Sequence, residues 1–118
     1  MDYNEFLKRV IDEGIEAAKK DYVKPEQKDK LEGSILGFEK CRGKNPEELV
    51  EMLKEAGKAT NAASGNSNYW YVRCQEAEIE WVCNCVSAII VNGGQKPIIP
   101  VTARGALKAA EIVGVKES

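Results

Sequence analysis

The chain has 118 residues, 43% of them hydrophobic and 31% charged, and its 17 basic and 19 acidic side chains leave a net charge of −2. That is the length of one domain, residues 1–118, with too many apolar residues for a disordered tail and too many charges for a membrane protein, and its charge balance argues against a generic nucleic-acid binder. Histidine is absent, which excludes Ser-His-Asp and Cys-His nucleophile systems, His-containing metal sites and imidazole pH switches.

The opening MDYNEFLKRV mixes acids, bases and apolar residues without the pattern of a targeting segment. No apolar run approaches the roughly 20 residues needed to span a bilayer. The expectation is therefore a soluble, cytoplasmic protein without a membrane partner. Cys41, Cys74, Cys83 and Cys85 read as free, mostly buried thiols in that setting.

Residues 2–22 carry Tyr3, Phe6, Leu7, Val10, Ile11, Gly14, Ala17, Ala18 and Tyr22 at three- and four-residue steps, the period of an amphipathic helix. Asp2 is the expected N-cap, with Glu5 at capping-box spacing. A second helix is expected from Pro25 to about Cys41, with Leu31, Ile35 and Phe38 as its apolar stripe. Gly33 and Gly37 lie four apart on one face, which suggests a close backbone approach to another helix, the alternative being an early helix end.

Asn45-Pro46-Glu47-Glu48 combines an Asn cap, Pro at the first helical position and acids near the positive end of the dipole. The third helix should bury Leu49, Val50, Met52, Leu53 and Ala56 and stop at Gly57. A mobile loop is expected near 58–68. Residues 1–58 hold 12 bases and 14 acids and residues 59–118 only 5 of each, so the second half is the core-forming half.

Residues 69–92 admit two readings. As a strand, alternation would lead through a hairpin around Gly93-Gly94 and give an α+β fold. As a helix, Trp70, Cys74, Ala77, Trp81, Cys85 and Ala88 share one face, Val72, Ile79, Cys83, Val86 and Ile90 another, and Tyr69, Arg73, Glu76, Glu80, Asn84 and Ser87 a polar stripe. The strand reading places Val82, Val86 and Ala88 on the face of three glutamates, so the helix is preferred. Pro97 and Pro100 then require an extended stretch. Thr102 should cap a last helix that buries Ala106, Leu107, Ala110 and Ile112 or Val113 and stops at Gly114. The predicted fold is all-α: about five helices with a long central fourth, and about 70% of residues helical against the usual third.

No motif for metal, nucleotide or cofactor binding emerges, and none of these is expected. Cys83-Asn84-Cys85 has the wrong spacing for a metal turn. Candidate ligand or partner contacts are Tyr69, Trp70, Arg73, Glu76, Glu78, Glu80 and Trp81. The Tyr69-Trp70-Tyr71 run with Trp81 holds half of the eight aromatics, and such groups build ligand pockets and interface hot spots as well as cores. Glu78 falls opposite the polar stripe and should be buried, paired with Arg104 or a tyrosine hydroxyl. Lys40, Arg42 and Lys44 precede a helix N-terminus and form a candidate anion contact.

Three function classes follow. The first is a non-enzymatic protein-interaction module that self-associates, most simply as a dimer, because the long helix has more apolar surface than short neighbours need cover. The second is a small-molecule binder using the aromatic cluster. The third is a nucleic-acid accessory protein using Lys40, Arg42 and Lys44, disfavoured by the charge balance. An enzyme comes last, for want of a nucleophile or a phosphate loop.

Overall fold

The computed structural model describes residues 1–114. Five α-helices follow in order: α1 (Tyr3–Asp21), α2 (Lys28–Lys40), α3 (Pro46–Ala62), α4 (Tyr69–Asn92) and α5 (Ala103–Val113), with a 3-10 turn at Pro25–Gln27 ahead of α2. Helix accounts for 76% of the described residues, and no strand occurs among them. The all-α reading holds, and the hairpin alternative falls: Gly93 ends α4 and Gly94, at φ +84°, turns the chain away.

The capping signals act where the sequence puts them. Asp2 accepts from Glu5 N, Asn45 and Glu48 form a reciprocal capping box, and Thr102 accepts from Gly105 N. Each satisfies an N–H that the first helical turn leaves without a partner. Gly114 closes α5 in the left-handed conformation, at φ +77°, as glycine does at a helix end.

One expected stop fails. α3 runs through Gly57 to Ala62, so residues 58–62 are helix rather than loop. Thr60 and Ala63 are buried, and packing of these small residues continues the helix where periodicity in the sequence has already faded. The turn comes at Gly65, φ +80°.

α4 is the axis. Its 24 residues span about 36 Å at 1.5 Å per residue, in a molecule of 46 × 28 × 24 Å. α2 lies closest against it. A Cβ on Gly33 would strike the Tyr71 carbonyl oxygen, and one on Gly37 would sit 2.7 Å from the Gln75 carbonyl oxygen. The pairs 33 with 71 and 37 with 75 advance together, so α2 and α4 run parallel. α3, between them in sequence, returns antiparallel, with Gly57 beside Glu76. α1 covers the end of α2, where Phe38 fills the space above Gly14. The core joins Phe6, Leu7, Val10 and Ile11 of α1 to Leu49 of α3, Val82, Cys83, Cys85 and Val86 of α4, and Ile112 of α5.

Past its midpoint α4 is buried on every side, from Val82 to Ala88. The cause is the non-helical chain after Gly94, which runs back along the helix. Ser87 Oγ accepts from the backbone N–H of Ile98 at 3.2 Å and of Ile99 at 3.1 Å. Asn84 donates through Nδ2 to Thr102 Oγ1 at 2.8 Å and accepts through Oδ1 from Thr102 N at 3.1 Å. The polar stripe of the sequence is therefore an internal clamp at Asn84 and Ser87. Glycine again permits the approach, since a Cβ on Gly105 would collide with the Asn84 amide.

The phase expected for α5 also needs correction. Gly105, Ala109 and Ile112 face the core, while Ala106 and Leu107 are exposed, Leu107 by 67%. The clamp at Thr102 fixes the rotation of the helix, and that rotation turns Leu107 outward.

Candidate functional site

α4 carries most of the candidate residues, and its neighbours divide them. The aromatic cluster does not assemble. Tyr69 and Trp70 meet edge to face at 5.1 Å, with Lys30 Nζ 4.5 Å above the Trp70 ring. Trp81 lies three turns on, about 16 Å along the helix, where the Arg104 guanidinium stands 5.7 Å over its ring. Tyr71 abuts α2 through its backbone at Gly33.

The charged stripe divides as well. Arg73 pairs with Glu76 at 3.4 Å. Glu80 is exposed, at the edge of a hollow with Leu53, Asn84, Ile99, Pro100 and Thr102. Both glutamates lie on the α3 side of α4, away from Glu78.

Lys40, Arg42 and Lys44 do not converge on an anion. Lys40 Nζ donates to the buried Gln75 Oε1 at 2.6 Å. Arg42 bridges Asp12 at 2.6 Å and Glu39 at 2.8 Å. Those contacts raise its own pKa and hold both carboxyls below their ordinary values. Lys44 contributes its carbonyl, which accepts from the Tyr3 hydroxyl at 2.6 Å. The turn is a set of internal contacts, because each cation has an acidic or amide group, or its own backbone, engaged by a neighbouring helix.

Glu78 stands apart. It is partly buried on the α1 side of α4, and burial raises its carboxyl above the ordinary value, with the nearby Asp21 carboxylate adding to the effect. The expected pairing with Arg104 is absent. That guanidinium lies on Trp81 instead, and no ion pair among the described residues involves Asp21, Glu78 or Arg104. Around Glu78 stand the Tyr22 hydroxyl, the Cys74 thiol and Ser34. Ser34 is 1% exposed, and it favours the Glu78 carboxylate by its closeness. Its Oγ nonetheless has no partner in hydrogen-bonding geometry among the described residues.

Of these, Glu78 and Tyr22, together with Asp21, line a cleft of about 450 Å³ between α1, α4 and α5. Gly14, Ala17, Ala18 and Ala77 give it apolar walls, and Tyr22, Phe38 and Trp81 give it aromatic ones. At its outer end Lys108 pairs with Glu13 at 2.6 Å, which lowers the Glu13 carboxyl and closes the α1–α5 contact. Arg9 completes that contact by donating to the Ile112 carbonyl at 2.9 Å.

Sequence reasoning finds Glu78 and Trp81 but misses Asp21, Tyr22 and Ser34. The signal for Ser34 is within reach. Once Gly33 and Gly37 pack on α4, the residue between them must meet that helix too, and Ser34 is the polar one. All four cysteines are buried and free, and burial pushes the thiols of Cys41, Cys83 and Cys85 up to about 12. Thiols so far from ionisation are poor nucleophiles and poor metal ligands. No family model matches this chain, and neither does any curated protein or solved structure.

Proposed function

We propose that this chain is a non-enzymatic interaction protein of the cytoplasm that works as a homodimer through the outer face of α5. The observation that carries this reading is that α5 is apolar on two sides and only one meets the core. Gly105, Ala109 and Ile112 point inward, while Ala103, Ala106 and Leu107 are exposed and Ala110 is half-buried beside them. The outer four recur at steps of three, one and three residues, the spacing of a packing stripe on a helix. Small residues flanking a single leucine let two copies of the helix approach closely about a two-fold axis, and two-fold dimers are the commonest closed assembly. Such a dimer presents paired surfaces to a further protein.

Sedimentation equilibrium at micromolar concentration tests the proposal. A dimer is expected, and Leu107→Glu should leave a folded monomer that still melts cooperatively, without the concentration-dependent gain in melting temperature that dimerisation adds. A wild-type monomer over that range would exclude the reading. A second reading, small-molecule binding, has the cleft around Glu78 in its favour. No comparable feature supports nucleic-acid binding, since Lys40 and Arg42 are engaged by Gln75, Asp12 and Glu39 and do not converge with Lys44 on one site.

A further inference from the structure

Charge and polarity in the cleft between α1, α4 and α5 are out of balance. Two carboxylates, Asp21 and Glu78, stand near each other, and among the described residues neither is in an ion pair; Arg73, which pairs with Glu76, favours the Glu78 carboxylate only from a distance. A like-charged neighbour and partial burial both make ionisation of Glu78 costly. Beside Glu78 the Ser34 hydroxyl is 1% exposed and has no partner in hydrogen-bonding geometry among the described residues, a condition that costs about 1–3 kcal/mol in a folded protein and calls for a cause. The cavity, about 450 Å³, falls within the roughly 300–1,000 Å³ of small-molecule sites. A metal ion would leave most of that volume empty, and no group of three or more metal-ligating side chains stands together among the described residues.

We propose that this cleft binds a small organic cation, an amine or guanidine on an apolar body, with Glu78 and Asp21 as counter-charges and the Trp81 and Tyr22 rings as walls. Each part of such a ligand answers one feature of the cleft. The cationic head lies between the two carboxylates, where it removes their mutual repulsion and donates to oxygens that lack a partner. Ser34 Oγ, beside Glu78, gains an ordered carboxylate to donate to. The apolar body fills the space bounded by Gly14, Ala17, Ala18 and Ala77. The chain itself shows that this aromatic surface accepts a cation, since Arg104 already lies on the Trp81 ring at 5.7 Å, and aromatic faces attract ammonium and guanidinium groups through their quadrupole. An anionic ligand would have Arg104 and Lys108 to meet, but Lys108 is held by Glu13 and Glu111, and the floor of the cleft is carboxylate.

Trp81 is a reporter inside the cleft, and Trp70→Phe removes the other tryptophan. The fluorescence of that protein is titrated with phenethylamine, with agmatine, and with 2-phenylethanol and 3-phenylpropionate as neutral and anionic counterparts. A saturable response is expected for at least one of the two cations, with phenethylamine about tenfold tighter than the alcohol, the ratio expected of a charged hydrogen bond. Glu78→Gln should weaken the cation about tenfold, and Asp21→Asn by a smaller factor, with the response to the alcohol unchanged. Asp21 is exposed and its variant folds, so it decides the matter alone if Glu78→Gln does not. Absence of a saturable response to both cations overturns the proposal. So does equal affinity for amine and alcohol, tighter binding of the carboxylate, or indifference to both substitutions. These readouts are independent of the oligomeric state, so the cleft and the α5 dimer stand or fall separately.

Discussion

The two faces on which α4 receives its neighbours are built by opposite means. Against α2 the helix is approached by taking side chains away: Gly33 and Gly37 bring backbone onto the carbonyls of Tyr71 and Gln75. Against the segment leading to α5 it is approached by polar side chains that reach out: Asn84 and Ser87 satisfy the N–H groups of Ile98, Ile99 and Thr102. The first contact gains close packing and offers no tolerance for added volume. The second tolerates small changes in distance but leaves part-buried N–H groups without partners if it is lost. The same helix thus fails differently on its two sides, by collision on one and by unsatisfied polarity on the other.

The largest effect is expected at the glycine contact. In Gly33→Ala the new methyl meets backbone, which cannot rotate away, so the two helices must separate. Overpacking of this kind costs about 3 kcal/mol at the upper end of its usual range, and it outweighs the gain of up to about 1 kcal/mol that alanine brings to a helix interior. Urea denaturation measures it. A stabilised Gly33→Ala protein would show that α2 and α4 do not touch along this line.

The clamp should give a smaller loss, of a distinct kind. Asn84→Ala removes an acceptor from Thr102 N and a donor to Thr102 Oγ1, and losing these two part-buried bonds should cost about 2 kcal/mol. Ser87→Ala should cost about 1 kcal/mol by the same reasoning. Both should raise hydrogen exchange at Ile98, Ile99 and Thr102 while leaving Gly33 and Gly37 protected. If exchange rises equally on both sides of α4, the two contacts form one cooperative unit rather than two.

This contrast also explains what the sequence makes legible. Glycines four apart are conspicuous, so a close approach of α2 to another helix is visible in the residue order alone, though not which helix it meets. So are the caps at Asp2, Asn45 and Thr102, because a cap is a local arrangement of residues adjacent in sequence. Asn84 and Ser87 are misread because they continue the stripe of Arg73, Glu76 and Glu80, and nothing local to that stripe says where solvent ends. The boundary is drawn by a segment more than ten residues downstream. The error at Leu107 has the same origin, since the rotation of α5 is set by the Asn84–Thr102 bonds and both faces of that helix are apolar. Periodicity puts Glu78 correctly on the inner side but does not find its surroundings, because Arg104 meets the Trp81 ring before it meets the carboxylate.

Glu78 lies between the two contacts along α4, beside Ser34 of α2 and facing α5. Its effect should be the smallest, and its sign is informative. The carboxyl is raised above the ordinary 4.5 by burial and by Asp21, so the folded protein holds this proton more tightly than the unfolded chain does. Stability then falls as pH rises from about 4.5 through the folded-state pKa, since the unfolding free energy declines wherever the native state binds more protons. Asp12, Glu13 and Glu39 are lowered by Arg42, Lys8, Lys108 and Arg9, and they contribute the opposite slope, stability lost as pH falls. Comparing the wild type with Glu78→Gln isolates the first slope, because the other carboxyls are common to both. The advantage of the wild type over the variant should shrink as pH rises from 4 to 7, as followed by urea denaturation at each pH. An advantage that grows with pH would mean that Glu78 is stabilised as a carboxylate, the behaviour of an ion pair with Arg104. The Trp81 ring would then have lost its cation and the cleft its unmatched charge.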